Sequence, residues 1–334
     1  MKNDGARVIL ETERLILRPW KESDAESLYE YAKDPQVGPV AGWPHHKSVD
    51  ESLNVINNVF AGPECYAICL KTDNNAIGCI ELKLNGCTDM TDRDDECELG
   101  YWIGVPFWGK GYVPEAVREI VRHGFEDLGM NTIWCGYYDG NEKSKRVQEK
   151  CGFVYHHTCD EMPVPLLGET RIGHACILTK EQWQSGLIVR SLSEREKALA
   201  CELAWKVFLK FEAPDYSQDG IDEFRRTLDN PEFIGRMRFY GAFQQEKLVG
   251  MLAMRRPQHI SLFFVDEKYQ GKGIGRKLFN RMRQDYNEQE FTVNSSPFAV
   301  EIYKRLGFFP TDAEQTINGI RFTPMKYSGE TKNN

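Results

Sequence analysis

"YQGKGIGRKLF", residues Tyr269–Phe279, places three glycines within five positions and then runs into a basic, amphipathic stretch. The same Gly-Lys-Gly core stands earlier, in "FWGKGYVPEAV", Phe107–Val117. A glycine loop between a strand and a helix suits an anion. Glycine lets the backbone approach closely, and the first-turn amides of the helix point outward without intrahelical partners. The helix dipole adds about 0.3–1 kcal/mol per charge. Lys272, Arg276 and Lys277 supply cations around the second copy. Neither copy has the P-loop spacing G-x-x-x-x-G-K-[ST]. Neither is a dinucleotide fingerprint, because the sixth residue is Arg276 counted from Gly271 and Pro114 counted from Gly109.

Outward from the loops, the two halves keep step. "LILRPWKESDAESLYEYA" is a short apolar strand, then Ser23 as the expected helix cap, then a helix; "LIVRSLS" begins the second half alike. "YAICLKTDNNAIGCIELKL" and "FYGAFQQEKLVGMLAM" both read as two strands joined by a turn. "CELGYWIGV" and "HISLFFV" are buried-looking strands that run into the loops, and "AVREIVRHGFEDL" and "RKLFNRMRQDY" follow with apolar residues at helical spacing. A strand ("TIWCGYY", "FTVN"), another helix, and "EKCGFVY" or "KRLGFFP" complete each half. The repeat predicts a mixed α/β fold, duplicated: residues 1–184 as one domain and 187–330 as the other, with the break at Ser185-Gly186.

Composition agrees with two soluble domains. The chain has 334 residues, 41% apolar and 28% charged, enough for two cores of ordinary size. The net charge of -8 argues against a general nucleic-acid binder, so a phosphate must be held by local geometry. No stretch has the apolar length of a membrane helix, and "MKNDGARVILETERL" lacks a signal-peptide core. Of the ten cysteines only Cys201 follows residue 180, and none form CxxC pairs, so no metal site is expected. Cys69, Cys79 and Cys135 read as small buried hydrophobes, which points to a reducing, cytoplasmic setting.

At this point the residues resemble a family. "QGKGIG", Gln270–Gly275, matches the acyl-CoA signature Q/R-x-x-G-x-G/A of the GCN5-related N-acetyltransferases, and "AVEIYKRLGF", Ala299–Phe308, matches its A-x-x-x-Y-x-x-x-G-F element. The resemblance covers nearly the whole chain as two successive domains. It implies acetyl-CoA as co-substrate, held by backbone amides of Gly271, Lys272, Gly273, Ile274, Gly275 and Arg276 with Gln270 at the head of the loop. The backbone of Phe263, Phe264 and Val265 would pair with the pantetheine arm like an added strand, and Ser296 is also expected at the cofactor. Tyr303 would stand beside the thioester sulfur. A phenol of pKa about 10 keeps its proton at neutral pH and can pass it to a thiolate whose thiol pKa is about 8–9. Glu212, in "FEAPDYSQDG", and His259 are the candidates for a general base.

The first half departs from this pattern. "LETERLILRPW", "ECELGYWIGVPFWGKGY" and "NEKSKRVQEKCGF" resemble the RimJ/RimL-type branch, which acetylates amino termini of ribosomal proteins. Gly109, Lys110, Gly111 and Asn141 are its expected cofactor residues. Val113 stands where Gly275 stands and is expected to crowd the pyrophosphate. Aligning Gly152 with Gly307 puts Gln148 opposite Tyr303, so the tyrosine acid is absent. The resemblance offers Ser144 for the leaving thiolate and Glu98 for the base. Either this half acts with its own residue set or it has become a scaffold.

The expected activity is transfer of an acetyl group to a primary amine, chiefly in the second domain, with an acceptor of open size: small molecule, peptide or protein amino terminus. Nucleic acid and membrane are not expected partners. The tandem domains are expected to stand as an internal pseudo-dimer, with further oligomerisation left open. The rival from another class is a non-catalytic acyl-CoA sensor or protein-interaction module, to which Gln148 leaves room in the first half.

Overall fold

The computed structural model describes residues 8–255, 258–286 and 290–328. The chain divides into two compact units at Ser185/Gly186. The first contains β1 (Leu10–Glu11), β2 (Leu15–Pro19), α1 (Ala25–Ala32), α2 (Gly38–Ala41), α3 (Val49–Asn58), β3 (Cys65–Leu70), β4 (Ala76–Lys83), β5 (Glu96–Ile103), α4 (Tyr112–Arg122), β6 (Thr132–Tyr138), α5 (Glu142–Lys150), β7 (Val154–Val164), β8 (Glu169–Thr179) and α6 (Lys180–Ser185). The second contains β9 (Leu187–Ser191), α7 (Lys197–Phe211), α8 (Gln218–Asp229), α9 (Pro231–Gly235), β10 (Arg238–Gln244), β11 (Lys247–Arg255), β12 (His259–Val265), α10 (Ile274–Gln284), β13 (Glu290–Ser295), α11 (Val300–Leu306), β14 (Phe308–Pro310), β15 (Gln315–Ile317) and β16 (Ile320–Ser328).

Each unit has one sheet. The orders are β1-β2-β3-β4-β5-β6-β8-β7 and β14-β16-β13-β12-β11-β10-β9, with β15 on β16. One pair in each is parallel, β5 with β6 and β12 with β13.

Both faces of each sheet are covered, which is why the central strands read as near-continuous apolar runs. In β3, Tyr66 and Ile68 join the core made with Val117, Ile120 and Val121 of α4. The alternate residues Cys65, Ala67 and Cys69 meet Leu28 and Ala32 of α1 and Ile56 of α3. The thiols here are small apolar fillers; burial pushes the Cys69 thiol up to about 12. In the second unit, α7 packs Leu203, Val207 and Phe208 against Phe239, Met251 and Phe264, and α10 packs Leu278 and Phe279 against Leu252 and Phe291 on the other face.

Ser23 does not cap the first helix. Asp24 does the local work, accepting the Lys21 amide at 2.9 Å while Arg18 holds its carboxylate in a buried two-pronged pair at 2.7 and 2.9 Å. A charged acceptor fixed by a planar guanidinium outcompetes a neutral hydroxyl one residue earlier.

The helix of α4 continues into a π-helical turn, His123–Asp127. His123 is 2% exposed, with Nε2 at 2.9 Å from Glu64 and Nδ1 at 2.8 Å from Asp127. Its hydrogen bond to Glu64 raises the imidazole pKa against the opposing effect of burial. The Glu64 carboxyl is lowered by His123 and Tyr66, although burial opposes this. A raised histidine contributes stability that is complete below its ordinary value of about 6.5 and lost as pH rises through the folded value. A lowered glutamate contributes above about 4.3 and loses that contribution as pH falls. Substituting His123→Asn is therefore expected to lower the unfolding temperature of the first unit more at about pH 6 than at about pH 9. Thermal unfolding at both pH values checks it; an equal deficit at each would show that packing alone is lost.

Candidate active site

The parallel strands part company early. β5 pairs with β6 only through Glu96↔Thr132, Cys97↔Ile133 and Glu98↔Trp134. β12 pairs with β13 only through His259↔Thr292 and Ile260↔Val293. Beyond these points β5 and β12 remain hydrogen-bonded to β4 and β11 alone. Leu99–Ile103 and Ser261–Val265 thus present to a gap one edge that no neighbouring strand pairs. Such an edge is a template for another extended chain.

The glycine loop follows each free edge. Gly109, Gly111, Gly271 and Gly273 have φ of 74°, 80°, 73° and 75°, in the left-handed region that glycine enters without strain. Nothing lies within 4 Å of a Cβ built at Gly109, Gly271 or Gly273, so the loops face open space. Gly111 and Gly273 cap α4 and α10 without a side-chain hydrogen bond, leaving first-turn amides for an anion. A side chain ties each loop back to its strand: Gln270 Nε2 donates to the Val265 carbonyl at 2.9 Å and Trp108 Nε1 to the Ile103 carbonyl at 3.0 Å. Indole and amide do the same work, which explains why tryptophan can replace glutamine.

The side chains of several expected ligand residues are engaged within the protein. The Gln270 side chain is engaged as just described. Arg276 gives Nη2 to the Arg305 carbonyl at 2.8 Å, so it braces α11. Asn141 caps α5, accepting the Ser144 amide at 3.1 Å. Lys272 lies over the Tyr269 ring and Lys110 over Phe107. Val113 is buried in the core at 8% exposure, so its methyls are taken up by packing. Arg14 went unnoticed in the sequence: its guanidinium pairs with Glu115, donates to the Lys110 carbonyl at 3.0 Å and covers the Tyr112 ring. It places an exposed cation at the first loop.

In the second unit the gap opens into a cavity of about 330 Å³. Glu212, His259, Phe263, Ser296 and Tyr303 all line it, with Phe208, Tyr216, Phe224 and Phe322 among the walls. Sequence had proposed these polar residues one by one; the fold gathers them. Tyr303 is 6% exposed, its ring edge-on to Phe263 and Phe308, and among the described residues its hydroxyl makes no hydrogen bond. Burial and the charge of Glu212 push its phenol far above the ordinary value. Glu212 sits just past α7, where burial pushes its carboxyl up to about 7 against the pull of the nearby Ser296 hydroxyl. His259 bonds Thr292 Oγ1 through Nδ1 at 2.9 Å, and burial together with Arg255 pushes it down to about 4. The imidazole is therefore neutral at pH 7. Ser261 Oγ and Ser296 Oγ are buried without a partner in normal hydrogen-bonding geometry, a condition that costs about 1–3 kcal/mol unless a ligand or water meets it.

In the first unit Ser144 and Glu98 belong to separate clusters. Glu98 accepts from Lys83 at 2.9 Å and from Thr88 at 2.5 Å, so both carboxylate oxygens are occupied by the sheet and the loop above it. Ser144 Oγ lies 3.0 Å from the Tyr101 hydroxyl and accepts from Gln148 Nε2 at 3.2 Å. Gln148 Nε2 also donates to the Gly136 carbonyl at 3.0 Å, and its Oε1 is buried without a partner. Tyr101 was quoted within "CELGYWIGV" but given no role, because alternation along a strand does not say which residue reaches a helix 43 positions away. Among the described residues no group of three His, Cys, Asp or Glu could hold a metal, and no helix is long and apolar enough to cross a membrane.

Residues 14–154 match an Acetyltransferase (GNAT) domain family, and residues 212–328 match a second family of the same description. The chain is 30% identical over 130 residues to the Uncharacterized N-acetyltransferase p20 of Bacillus licheniformis, covering 37% of this chain and 70% of that protein. It is 28% identical over 150 residues to the Uncharacterized N-acetyltransferase YoaA of Bacillus subtilis, covering 43% and 82%. The FsC-acetyl coenzyme A-N(2)-transacetylase of Aspergillus fumigatus is 26% identical over 187 residues, covering 53% and 79%.

The Glu212 environment sets a pH dependence. A carboxyl whose pKa rises from about 4.3 unfolded to about 7 folded lowers stability progressively as pH climbs between those values. Glu212→Gln removes the ionising group. The variant is expected to unfold at a higher temperature than wild type at about pH 8 and at nearly the same temperature at about pH 4. Thermal unfolding of the full chain decides it; no divergence between the two curves would mean that Glu212 ionises freely.

Proposed function

Because the chain belongs to the GNAT acetyltransferases, as two such domains in tandem, we propose that it moves an acetyl group from acetyl-CoA directly to a primary amine, chiefly in the second domain. One observation carries this reading. The cavity that ends the β12–β13 gap holds a carboxyl near neutrality and a neutral phenol together, beside a free strand edge.

The free edge of Phe263–Val265 suits the amides of a pantetheine arm, and the amides after Gly271 suit a pyrophosphate, with Lys272 and Lys277 as nearby cations. These residues bind and orient. Glu212, half-ionised near pH 7, takes the proton from the incoming ammonium, which leaves a neutral amine to attack the thioester carbonyl. As the C–N bond forms and the C–S bond breaks, Tyr303 gives its proton to the departing sulfur. A phenol pushed upward by burial remains protonated at pH 7, which is the state a general acid requires. His259, with Nδ1 held by Thr292, keeps Nε2 for water-mediated proton transfer.

The walls say something about the acceptor. Phe208, Tyr216, Phe224, Phe233 and Phe322 surround the carboxyls of Glu212 and Glu223. An ammonium carried on an apolar body satisfies both features.

Tyr303→Phe keeps the ring contacts with Phe263 and Phe308 and removes the donor. It is expected to lower kcat and kcat/KM together by roughly 10²–10⁴-fold, with the acetyl-CoA Kd unchanged. In wild type kcat/KM should rise with pH through about 7, the Glu212 value, and Glu212→Gln should abolish that limb. Steady-state kinetics across an amine panel, with isothermal titration of acetyl-CoA, tests both. Full turnover by Tyr303→Phe under conditions where chemistry limits the rate would remove Tyr303 from the mechanism.

A further inference from the structure

The first unit has lost a tyrosine from its helix and gained one on its strand. Gly152 and Gly307 close α5 and α11 in the same left-handed conformation, with φ of 92° and 99°. This fixes Gln148 opposite Tyr303. The last parallel pairs, Glu98↔Trp134 and Ile260↔Val293, and the anchors on Ile103 and Val265 fix Tyr101 opposite Phe263. In the second unit the strand supplies the phenyl ring and the helix the phenol, with centroids 5.9 Å apart. In the first unit the strand supplies the phenol, and the helix supplies Ser144 and Gln148 to hold it. The hydroxyl has crossed the gap.

The groups there can be joined in one consistent direction. Gln148 Nε2 can only donate, so Ser144 Oγ accepts from it at 3.2 Å. The Ser144 proton is then free to point at the Tyr101 oxygen, 3.0 Å away. The Tyr101 proton has the Ser144 carbonyl at 3.2 Å as its resting acceptor. A phenol that accepts a hydrogen bond from serine and holds its own proton on a long contact is arranged to release that proton. Beside it, Gln148 Oε1 is buried and unpartnered although the residue is only 1% exposed. An unmet acceptor there marks a place where a donor from outside the chain belongs. The glycine loop that follows the strand has open space at Gly109, with the Arg14–Glu115 ion pair alongside.

We propose that the first domain is a second acetyl-transfer site in which Tyr101, supported by Ser144 and Gln148, protonates the leaving sulfur. This rests on the reading of the chain as an acetyl-CoA-dependent N-acetyltransferase. The attacking nitrogen forms the C–N bond and the C–S bond breaks. The thiolate takes the Tyr101 proton, the phenolate is held by the Ser144 hydroxyl, and it regains its proton from the one lost by the nitrogen. Tyr101 is the catalytic residue; Ser144 and Gln148 position it and stabilise its anion. Burial keeps the Tyr101 phenol protonated well beyond neutral pH, so the acid is available across the working range.

The experiment silences the second domain in the full-length chain. Gly275→Glu adds bulk and negative charge at the second loop, and Tyr303→Phe is an independent second background should the first be poorly folded by thermal unfolding. Each background is titrated with acetyl-CoA and assayed across the amine panel. Residual transfer is expected in both, together with one remaining acetyl-CoA binding event in Gly275→Glu. Adding Tyr101→Phe should then lower residual kcat and kcat/KM together by roughly 10²-fold or more, with that binding event unchanged. Adding Ser144→Ala should lower kcat by roughly 10-fold and shift the alkaline limb of its pH profile upward, because the phenolate loses its donor; a merely structural serine would leave that limb in place. The proposal is overturned if Tyr101→Phe leaves the residual rate intact, if both silenced backgrounds bind acetyl-CoA without turning it over, or if Gly275→Glu binds none. Absence of transfer by the wild-type chain with every amine would overturn the acetyltransferase reading as well.

Discussion

Two parallel strands that pair for two or three residues and then separate are the constraint on which each unit depends. A sheet interior normally leaves no backbone group unpaired, because an unmet amide or carbonyl away from water is costly. Here the separation after Glu98 and Ile260 leaves one edge of β5 and β12 unpaired inside the sheet. Every other feature of the site is placed relative to that opening. The glycine loop stands at the end of the free edge, the helix after the departing strand stands across from it, and the cavity of the second unit lies within it.

The duplicated frame makes the substitutions informative. Where two copies share a backbone, a residue change with a compensating partner has a physical reading. Trp108 and Gln270 differ in every respect except an N–H that reaches a carbonyl five residues back. Tyr101 and Phe263 differ by one hydroxyl, and the helix positions they face, Gln148 and Tyr303, exchange an amide for a phenol. The aromatic junction of Phe263, Tyr303 and Phe308 is replaced by a hydrogen-bonded one built from Tyr101, Ser144 and Gln148. Burial raises both phenols, Tyr303 and Tyr101, and at Tyr101 the hydrogen bond with Ser144 pulls the other way.

Electrostatics in the second site is local. Glu212 and Tyr303 line one cavity; burial raises both, and the charge of Glu212 adds to the resistance of Tyr303 to ionising. The acidic chain as a whole has little to do with this, since screening confines distant surface charges to within about 10 Å at moderate salt. Geometry at the loops and burial in the cavity carry the site.

Features encoded by a few neighbouring residues were legible in the sequence. The glycine loops were, because a left-handed backbone at Gly271 and Gly273 needs glycine whatever surrounds it. So were the duplication and the alternation of buried strands, which follow from local periodicity. Tyr303, Glu212 and His259 were candidates from the sequence, but that they line one cavity was not written there. What only the tertiary structure decided is which side chains meet. Asp24 rather than Ser23 fixes the turn that leads into the first helix, because Arg18 of β2 holds its carboxylate against the Lys21 amide. Glu98 is occupied because Lys83 lies opposite it across the sheet. The side chain of Arg276 reaches the Arg305 carbonyl because the fold brings α10 beside α11. Tyr101 meets Ser144 across 43 residues of sequence. A hydrogen bond depends on distance and direction between atoms that the chain brings together only when the strands have paired and then parted, and no local pattern records that meeting.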